Sequence, residues 1–283
     1  MSYDLHEPRS LDEATALLET HGDDAVAMAG ATALVLLMKQ GLIRPGHVVG
    51  LRRIDALRGI QSAGGDLWIG ALTTHREAER SGAVRSHSAA LADAFATVAT
   101  VRIREQATVG GNIAHADPAQ DPPPMLIALD AVAEVAGPGG ARRDVPLDGF
   151  FVDHLTTALA PAEIVVGIRV PAVAAGTRAT YVKFLPGSQD DYATVAVAVA
   201  LRMDDGRIGD VRVVLGAVGA TPIRARVAED ALRGGPATPE RIAEAAALVR
   251  DAVDPTSDFR GTAGYKREMA RVWTQRAITS LVA

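Results

Sequence analysis

The sequence predicts an α+β fold in two domains, a larger one over residues 1–175 and a smaller one over residues 176–283. Three observations support this prediction. The first part of the chain shows the order helix, strand, small-residue loop and helix, whereas the last third shows a β-hairpin followed by three helices. A break at Val170-Pro171 and a small-residue run at residues 174–176 separate the two parts. With 283 residues, 48% of them hydrophobic, the chain can bury sizeable cores.

The amino-terminal elements follow from capping and spacing. The segment Ser10-Leu11-Asp12-Glu13 matches a capping box, in which the Ser side chain covers a backbone amide and the Glu side chain reaches back. Gly22 suits a left-handed cap at the end of this helix. We then expect a short buried strand at residues 25–28, a tight turn at residues 29–33 and a second helix at residues 34–40.

The middle of the chain contains a long segment without periodicity, residues 108–124. It is poor in bulky residues and rich in turn formers, so we expect an extended functional loop there. The regular elements around it are predicted as strands at residues 47–51, 67–71 and 131–136, and as helices at residues 93–99 and 125–129.

The last third is predicted to begin with a hairpin. Residues 193–203 and 210–217 have the composition of strands, and Asp204-Asp205-Gly206 supplies a turn between them. Thr followed by Pro marks a helix start, because Thr caps the helix and Pro suits its first position. The three predicted helices begin at Thr221-Pro222, at Thr238-Pro239 and at about Gly264, the last one ending near Ser280.

Composition excludes several functions. Lys and Arg total 29 against 34 Asp and Glu, a net charge of -5, which is not typical of a nucleic-acid-binding protein. The sequence lacks an apolar run long enough to span a bilayer, and its start lacks a signal-peptide pattern, so we expect a cytoplasmic protein. The Cys count of 0 excludes disulfides, thiolate nucleophiles and Cys-bound metal clusters. Any redox chemistry must then use an organic cofactor, or a metal held by His and carboxylates.

Two segments of small residues, 29–33 and 108–112, place backbone amides where no bulky side chain would block a ligand. Amides in such bends bind anions, and Gly allows close approach of a ligand to the main chain. Two bends of this kind would suit a diphosphate. Neither matches a Rossmann fingerprint or a P-loop, and taken singly each is as compatible with a plain tight turn.

Taken together, the two bends match a family. Its pattern A-G-G-[TH]-[DS]-L corresponds to residues 29–34, and T-[IV]-G-G-N occurs at residues 108–112, continuing to residue 131. Further segments match in order at residues 159–165, Lys183-Phe184 and residues 191–195. The sequence resembles the FAD-binding medium subunits of molybdenum hydroxylases, such as those of carbon monoxide dehydrogenase and its relatives, and is similar to the flavin domain of xanthine dehydrogenase.

The resemblance implies both an architecture and a function. It implies a two-subdomain FAD-binding domain of PCMH type, followed by a C-terminal domain of the CO dehydrogenase flavoprotein type with an antiparallel sheet and three helices. FAD would take electrons from a small [2Fe-2S] subunit, beside a molybdopterin-binding large subunit, and pass them to an external acceptor. The assembly would be a dimer of heterotrimers, with no catalytic residue and no metal site on this chain.

The resemblance also implies which residues bind FAD. Amides of the two bends would wrap the diphosphate and ribityl chain, and Asp121 would bind the ribityl or adenosine part. Ile164 and Val165 would line the flavin ring, Lys183 its edge, and Tyr192 would pack over it. The full set is Met28, Ala29, Gly30, Ala31, Thr32, Ala33, Leu34, Ala107, Thr108, Gly110, Gly111, Asn112, Ala114, His115, Asp121, Ile164, Val165, Lys183 and Tyr192.

Several positions depart from the family pattern, among them His115 and Asp117, where relatives often have Asn and Ser, and an Arg that is absent near Gly187-Ser188. Ala31 replaces a Gly, which predicts an ordinary φ there, and Ala33 replaces a polar residue. Arg102 and Arg104 are either solvated or in contact with the diphosphate.

Three alternative interpretations remain. The set His115, Asp117 and Asp121 could suggest a metal cluster, but hydrogen bonds to the cofactor or the loop fit its spacing better. A self-contained FAD oxidase of the vanillyl-alcohol type would need a much larger second domain than this chain has. A flavin-free scaffold subunit is the other alternative, because of the changes at Ala31 and Ala33.

Overall fold

The computed structural model describes residues 2–188 and 190–283. Its helices are α1 (Leu11–His21), α2 (Leu34–Lys39), α3 (His75–Arg80), α4 (Gly82–His87), α5 (Ala89–Ala96), α6 (Val101–Arg104), α7 (Val109–His115), α8 (Pro122–Ala128), α9 (Arg226–Leu232), α10 (Pro239–Ala252) and α11 (Ala263–Val282). Its strands are β1 (Asp4–His6), β2 (Ala25–Met28), β3 (His47–Gly50), β4 (Ile60–Ala63), β5 (Asp66–Gly70), β6 (Val132–Ala136), β7 (Arg142–Pro146), β8 (Phe151–Asp153), β9 (Thr156–Thr157), β10 (Ile164–Val170), β11 (Thr177–Phe184), β12 (Val195–Asp204), β13 (Arg207–Gly216) and β14 (Ile223–Arg224). The predicted α+β class is confirmed.

The amino-terminal part is a small parallel sheet with a helix against it. The strand order is β1-β3-β2, and α1 connects the first strand in sequence to β2. Ser10 caps α1, its Oγ accepting a hydrogen bond from the Glu13 amide at 3.2 Å. Leu11, Ala14 and Leu18 form the buried face of α1.

A five-stranded antiparallel sheet, with the order β4-β5-β10-β6-β7, forms the second layer of the larger part. Its buried side chains join those of α5, α7 and α8 in one hydrophobic core. Strands β4, β7 and β10 are not among the predicted elements. At β4 and β7, exposed residues weaken the apolar pattern that would indicate a strand.

The carboxyl-terminal part is a four-stranded antiparallel sheet with the order β11-β12-β13-β14 and three helices, α9 to α11. The central strand β12 is buried on both faces. Val195, Val197 and Val199 face the helices of this part, whereas Ala198 and Ala200 join the core of the larger part. The sheet therefore connects the two cores, and the division at residue 175 stays a prediction.

Two predicted elements are wrong. Residues 108–124 are largely helical, because α7 and α8 occupy both ends of this segment. Its glycines hide the helix from sequence analysis: Gly110 packs so closely on Ala71 that a Cβ would lie 2.4 Å from the alanine Cβ.

The helix predicted at Thr221-Pro222 begins at Arg226 instead. Ile223 and Arg224 pair with β13 as the short strand β14, and this sheet pairing overrides the local helix signal. None of the described helices combines the length and the apolar character that crossing a bilayer requires.

Candidate cofactor site

The two small-residue bends lie side by side. The first bend, residues 29–33, connects β2 to α2, and the second, residues 108–112, consists of the capping residue Thr108 and the first turn of α7. A Cβ added to Gly30 would lie 2.1 Å from the Gln106 carbonyl oxygen, so only glycine allows this approach. A Cβ on Gly111 would lie 3.6 Å from the Cβ of Ala29. Segments about eighty residues apart in sequence thus form one surface.

The amides of the first bend are available to a ligand. Those of Gly30, Ala31, Thr32 and Ala33 donate to no backbone carbonyl in the described part of the chain. Residues 34–39 continue from the bend as α2, so the bend has the geometry that favours an anion.

The second bend uses its own amides internally. The Gly110 amide donates to the Ala71 carbonyl at 2.9 Å, and the Gly111 amide donates to Thr108 Oγ1 at 3.2 Å. The Asn112 amide donates to the Thr108 carbonyl at 2.9 Å. The two bends therefore differ. The first has backbone amides that are free to donate to a ligand, whereas the second can contact a ligand through its surface and through the side chain of Asn112.

Ala31 has a φ of 62°, in the left-handed region that glycine favours. The expectation of an ordinary φ at this position is therefore wrong. The turn imposes this conformation, since the Ala31 carbonyl accepts the Val35 amide at 3.0 Å as α2 begins. The bend keeps the shape that its family pattern provides with Gly, at a steric cost to Ala31.

A cavity of about 700 Å³ lies against both bends. This volume is within the range of small-molecule and cofactor pockets. With the exception of Met28, the residues predicted to bind FAD line it: Ala29, Gly30, Ala31, Thr32, Ala33, Leu34, Ala107, Thr108, Gly110, Gly111, Asn112, Ala114, His115, Asp121, Ile164, Val165, Lys183 and Tyr192. The structure thus gathers them around one space, while their individual contacts with FAD stay predictions.

Asp121 and Lys183 form a buried ion pair at the edge of this cavity. Lys183 Nζ lies 3.0 Å from Asp121 Oδ2 and also donates to the Thr97 carbonyl at 2.9 Å. The Tyr181 hydroxyl donates to Asp121 Oδ1 at 2.7 Å. Burial raises the pKa of Asp121, while Lys183 and Tyr181 act in the opposite direction. This network joins α8 of the larger part to β11 of the smaller part.

Tyr192 is held at the cavity rim by Arg260, which the sequence analysis did not identify. Arg260 Nη2 donates to Asp191 Oδ1 at 2.7 Å, and the same oxygen accepts the Tyr192 amide at 2.7 Å. The guanidinium also lies 5.7 Å from the centre of the Tyr192 ring. Partial burial and the nearby Asp117 carboxylate raise the pKa of Tyr192 to about 12, so its hydroxyl stays protonated at neutral pH.

His75 also lines the cavity and was not identified from the sequence, where it follows an ordinary helix-capping threonine. Its side chain is fully buried, and neither ring nitrogen has a hydrogen-bond partner among the described residues. Burial, reinforced by Arg104, lowers the pKa of His75 to about 3. The imidazole is therefore neutral at physiological pH, and it adds no positive charge to the cavity wall.

Arg102 and Arg104 do not line the cavity. Arg104 is buried against Glu79, with 2.9 Å between Nε and the carboxylate, and it donates to the Val98 and Ala99 carbonyls. Arg102 is exposed to solvent. Nor do His115, Asp117 and Asp121 gather as a metal-binding group within the described residues.

The cavity and its lining are those of a protein that binds an organic cofactor. Unpaired amides in one bend, an apolar wall around Ile164 and Val165, and a cavity of about 700 Å³ fit an extended, anionic organic cofactor. Buried oxygen atoms of Asn112 and Gln120 have no partner among residues 2–188 and 190–283, and both residues line the cavity. Such unsatisfied atoms are rare in folded proteins and are consistent with a polar ligand at this place.

Comparisons with known proteins then identify the family. Residues 1–173 match the family described as FAD binding domain in molybdopterin dehydrogenase, and residues 180–281 match the CO dehydrogenase flavoprotein C-terminal domain. The chain is 37% identical over 278 residues to the carbon monoxide dehydrogenase medium chain of Hydrogenophaga pseudoflava, covering 98% of this chain and 96% of that protein. It is 31% identical over 278 residues to the 6-hydroxypseudooxynicotine dehydrogenase complex subunit alpha of Paenarthrobacter nicotinovorans, covering 98% and 93%.

A solved structure agrees. Carbon monoxide dehydrogenase from Hydrogenophaga pseudoflava, lacking the Mo-pyranopterin moiety of its cofactor, superimposes with a TM-score of 0.96 at 39% identity, covering 99% of this chain and 96% of that one. The chain belongs to the family of FAD-binding medium subunits of molybdenum hydroxylases. The resemblance recognised in the sequence and the FAD cofactor are confirmed.

Proposed function

We propose that this chain carries FAD as the electron-transfer subunit of a three-part molybdenum hydroxylase. A large subunit with molybdopterin would oxidise the substrate, and a small [2Fe-2S] subunit would deliver the electrons to this chain. The convergence of the two bends on one cavity supports this proposal, together with the family match over nearly the whole length. Bound FAD supplies two-electron redox chemistry, which lets it pass these electrons to an external acceptor.

The chain's own residues bind and orient the cofactor. The amides of residues 30–33 would donate to the diphosphate, and the Thr32 hydroxyl adds a donor on the same bend. Ile164 and Val165 begin β10 with buried apolar side chains, which suit the flat flavin ring. Tyr192, positioned through Asp191 by Arg260, would close the other side.

The central experiment compares two glycine-to-alanine variants. Gly30→Ala places a methyl group against the Gln106 carbonyl and forces the two bends apart, whereas Gly149→Ala meets nothing within 4 Å. We expect Gly30→Ala to lower the FAD content at least about tenfold, equivalent to roughly 1.4 kcal/mol of binding free energy. Gly149→Ala should keep the content of the unmodified chain. Flavin absorbance per chain measures both.

A second variant covers the case in which Gly30→Ala does not fold. Thr32→Val keeps the shape of the side chain and removes only its hydroxyl, so FAD affinity should fall while circular dichroism stays unchanged. Full FAD affinity in both variants would contradict the proposed role of the first bend. A colourless protein that refuses added FAD would support the scaffold alternative instead.

The direction of electron transfer separates the subunit from a self-contained oxidase. Mixing the FAD-loaded chain with a reduced [2Fe-2S] subunit should bleach its flavin absorbance rapidly. Small organic substrates alone should leave that absorbance unchanged. Reduction by such a substrate without partner subunits would favour the oxidase.

We also propose a dimer of heterotrimers in the cytoplasm. The relatives described as medium chains and complex subunits support membership in a larger assembly. Light scattering on the co-purified complex measures the stoichiometry, and cell fractionation measures the location. A single heterotrimer, or recovery outside the cytoplasm, would contradict the respective statement.

A further inference from the structure

Three histidines gather outside the lining of the cofactor cavity. His6 ends β1, His21 ends α1 and His47 begins β3. One nitrogen from each lies within 4.8 Å of the others, and His6 Nε2 is 3.1 Å from His47 Nδ1. The His21 and His47 rings are stacked with centroids 3.6 Å apart. These three make up nearly half of the 7 histidines in the chain.

We propose that His6, His21 and His47 bind a divalent transition-metal ion, with Zn²⁺ as the best match. Zinc binds imidazole nitrogen at about 2.0–2.1 Å, which places two tetrahedral ligands about 3.3 Å apart. His6 Nε2 and His47 Nδ1 share a hydrogen bond of 3.1 Å, which is close to that spacing, and the ion would replace the proton of this bond. Neutral imidazole is a favoured zinc ligand, and a chain with 0 Cys has no thiolate to compete for the ion.

The surroundings of the three histidines favour a cation. Asp4 Oδ2 lies 3.9 Å from His47 Nδ1, the nitrogen that also faces His6, so the carboxylate is close enough to supply the fourth ligand. His21 is the last residue of the 11-residue helix α1, whose carboxyl end carries partial negative charge. The side chain of Asp4 is 80% exposed and that of His47 is 22% exposed, so an ion can enter from solvent.

The backbone holds the three histidines close together before any ion binds, so that rotation of the stacked His21 and His47 rings is the main change that ligation requires. β1 pairs in parallel with β3, with Asp4 opposite His47, and the Asp4 amide donates to the Gly46 carbonyl at 2.8 Å. The Gly46 amide donates to Asp24 Oδ1 at 2.8 Å, which holds the segment after His21 against the start of β3. Ligands on paired strands and a helix end lose little freedom on binding, so this arrangement favours affinity.

The ion would cross-link the first sheet rather than act on the flavin. His47 pairs with Ala25 at the start of β2, while the first bend follows Met28 at its end. Met28 therefore lies three residue steps from Ala25, about 10 Å along a parallel strand, although Val26 and Ala27 between them line the cavity. None of the three histidines lines the cofactor cavity. Zinc binding should therefore stabilise β1, α1 and β3 together and leave FAD content unchanged.

The test uses the full FAD-loaded chain with an affinity tag that contains no histidine. Titration with Co²⁺ alone should give one ion per chain, with the intense visible absorption of four-coordinate cobalt, and Zn²⁺ should displace it. His21→Ala and His47→Ala should each weaken Zn²⁺ binding at least about tenfold. His154→Ala, which removes an exposed histidine elsewhere, should bind Zn²⁺ as the unmodified chain does. FAD content should stay the same in all of them, which separates this test from that of the proposed function.

A chemical-protection experiment on the unmodified chain requires no variant to fold. Diethyl pyrocarbonate acylates accessible imidazoles, and Zn²⁺ should slow its reaction at His6, His21 and His47 at least about tenfold, as a bound ligand nitrogen cannot react. His154 should react at the same rate with and without Zn²⁺. Unchanged rates at the three histidines, a weak six-coordinate cobalt spectrum, or full binding in His21→Ala would each overturn the proposal.

Discussion

Ala31 carries a side chain in a backbone conformation that glycine adopts more easily. Its φ of 62° brings Cβ close to the main chain, a steric cost of about 1 kcal/mol. The sequence alone predicts the wrong φ at this position, because a residue with a side chain ordinarily adopts a negative φ. The bend is determined by its surroundings instead: Gln106 presses on Gly30, and α2 begins directly after the turn.

Replacing Ala31 by Gly should therefore stabilise the protein. We expect Ala31→Gly to increase the free energy of unfolding by about 1 kcal/mol, a rise of roughly 2–3 °C in the melting temperature. Ala33→Gly is the matched control, because Ala33 has a φ of -84° and gains nothing from glycine. Differential scanning calorimetry of the FAD-loaded proteins measures both. Equal or lower stability of Ala31→Gly would show that the positive φ is not strained.

His75 gives the protein a specific sensitivity to acid. The folded chain keeps this imidazole neutral down to a pKa of about 3, whereas the unfolded chain protonates it near 6.5. Between these values the unfolded state binds more protons, so the free energy of unfolding falls as the pH falls from 6.5 towards 3. Above 6.5 both states are neutral and the contribution does not change.

Removing this imidazole should flatten the pH dependence. Between pH 7 and pH 5 the unmodified chain should lose about 2 kcal/mol of stability through His75 alone. His75→Leu should lack that loss, whereas His154→Leu, at an exposed position, should retain it. Urea unfolding with excess FAD at both pH values provides the measurement. Identical pH slopes in the His75→Leu variant and the unmodified chain would contradict the depressed pKa.

At the scale of elements, the sequence predicts best where capping and periodicity agree. The helix capped by Thr238 and the hairpin of β12 and β13 were both predicted within a few residues of their observed bounds. The prediction of a helix start at Thr221-Pro222 was wrong. The pairing of Ile223 with β13 is a long-range interaction, which the neighbouring residues in the sequence do not reveal. Helix α7 was missed because its glycines resemble a turn, whereas Gly110 is required by close packing on Ala71. The start of α8 was missed because it consists of three prolines.

The residues of the site also divide into those that the sequence predicts and those that it does not. The two bends could be found because small residues and turn formers are visible in the sequence, and the family pattern linked them. Arg260 and His75 could not be found from the sequence, because neither belongs to a recognisable pattern and their roles arise only from tertiary contacts. The histidine cluster is likewise assembled by strand pairing from positions 6, 21 and 47.

Glu229 connects a helix of the smaller part to two of its strands. Its buried carboxylate accepts the Val213 amide at 3.0 Å and the Arg224 guanidinium at 2.9 Å, and so it fastens α9 to β13 and β14. Glu229→Ala should lower the free energy of unfolding by about 3 kcal/mol, because a buried amide and a partly buried cation lose their partner. Glu240→Ala, at an exposed position of α10, should change it by less than about 0.5 kcal/mol. A similar small effect at Glu229 in denaturant melts would refute its anchoring role.

At the scale of the whole molecule, the cofactor cavity depends on both parts of the chain. Asp121 belongs to the start of α8, while Lys183 and Tyr181 extend from β11. Their hydrogen bonds link the larger part to the sheet of the smaller part and fix the wall that the flavin would contact. The position of the smaller part is thus linked to the shape of the site.

This linkage predicts strong coupling between Asp121 and Lys183. Asp121→Asn and Lys183→Met should each destabilise the protein by about 3 kcal/mol, because each leaves a buried group without its partner. The double variant should lose clearly less than the sum of the two. The exposed pair Arg85–Asp93 is the matched control, with an expected coupling below about 1 kcal/mol. Additive effects at Asp121 and Lys183 in a double-mutant cycle would rule out the coupling.

The two-sided burial of β12 has a consequence for biosynthesis. Residues 195–201 have the sequence Val-Ala-Val-Ala-Val-Ala-Leu, and all of them are buried in the folded chain. The segment is therefore prone to aggregate until both of its faces are covered. On the ribosome the amino-terminal part emerges first and can offer α8 as a ready docking surface when the strand appears. In a circular permutant translated from residue 176 onwards, the face of β12 that packs on the larger part would stay uncovered until that part is made, and inclusion bodies should increase accordingly.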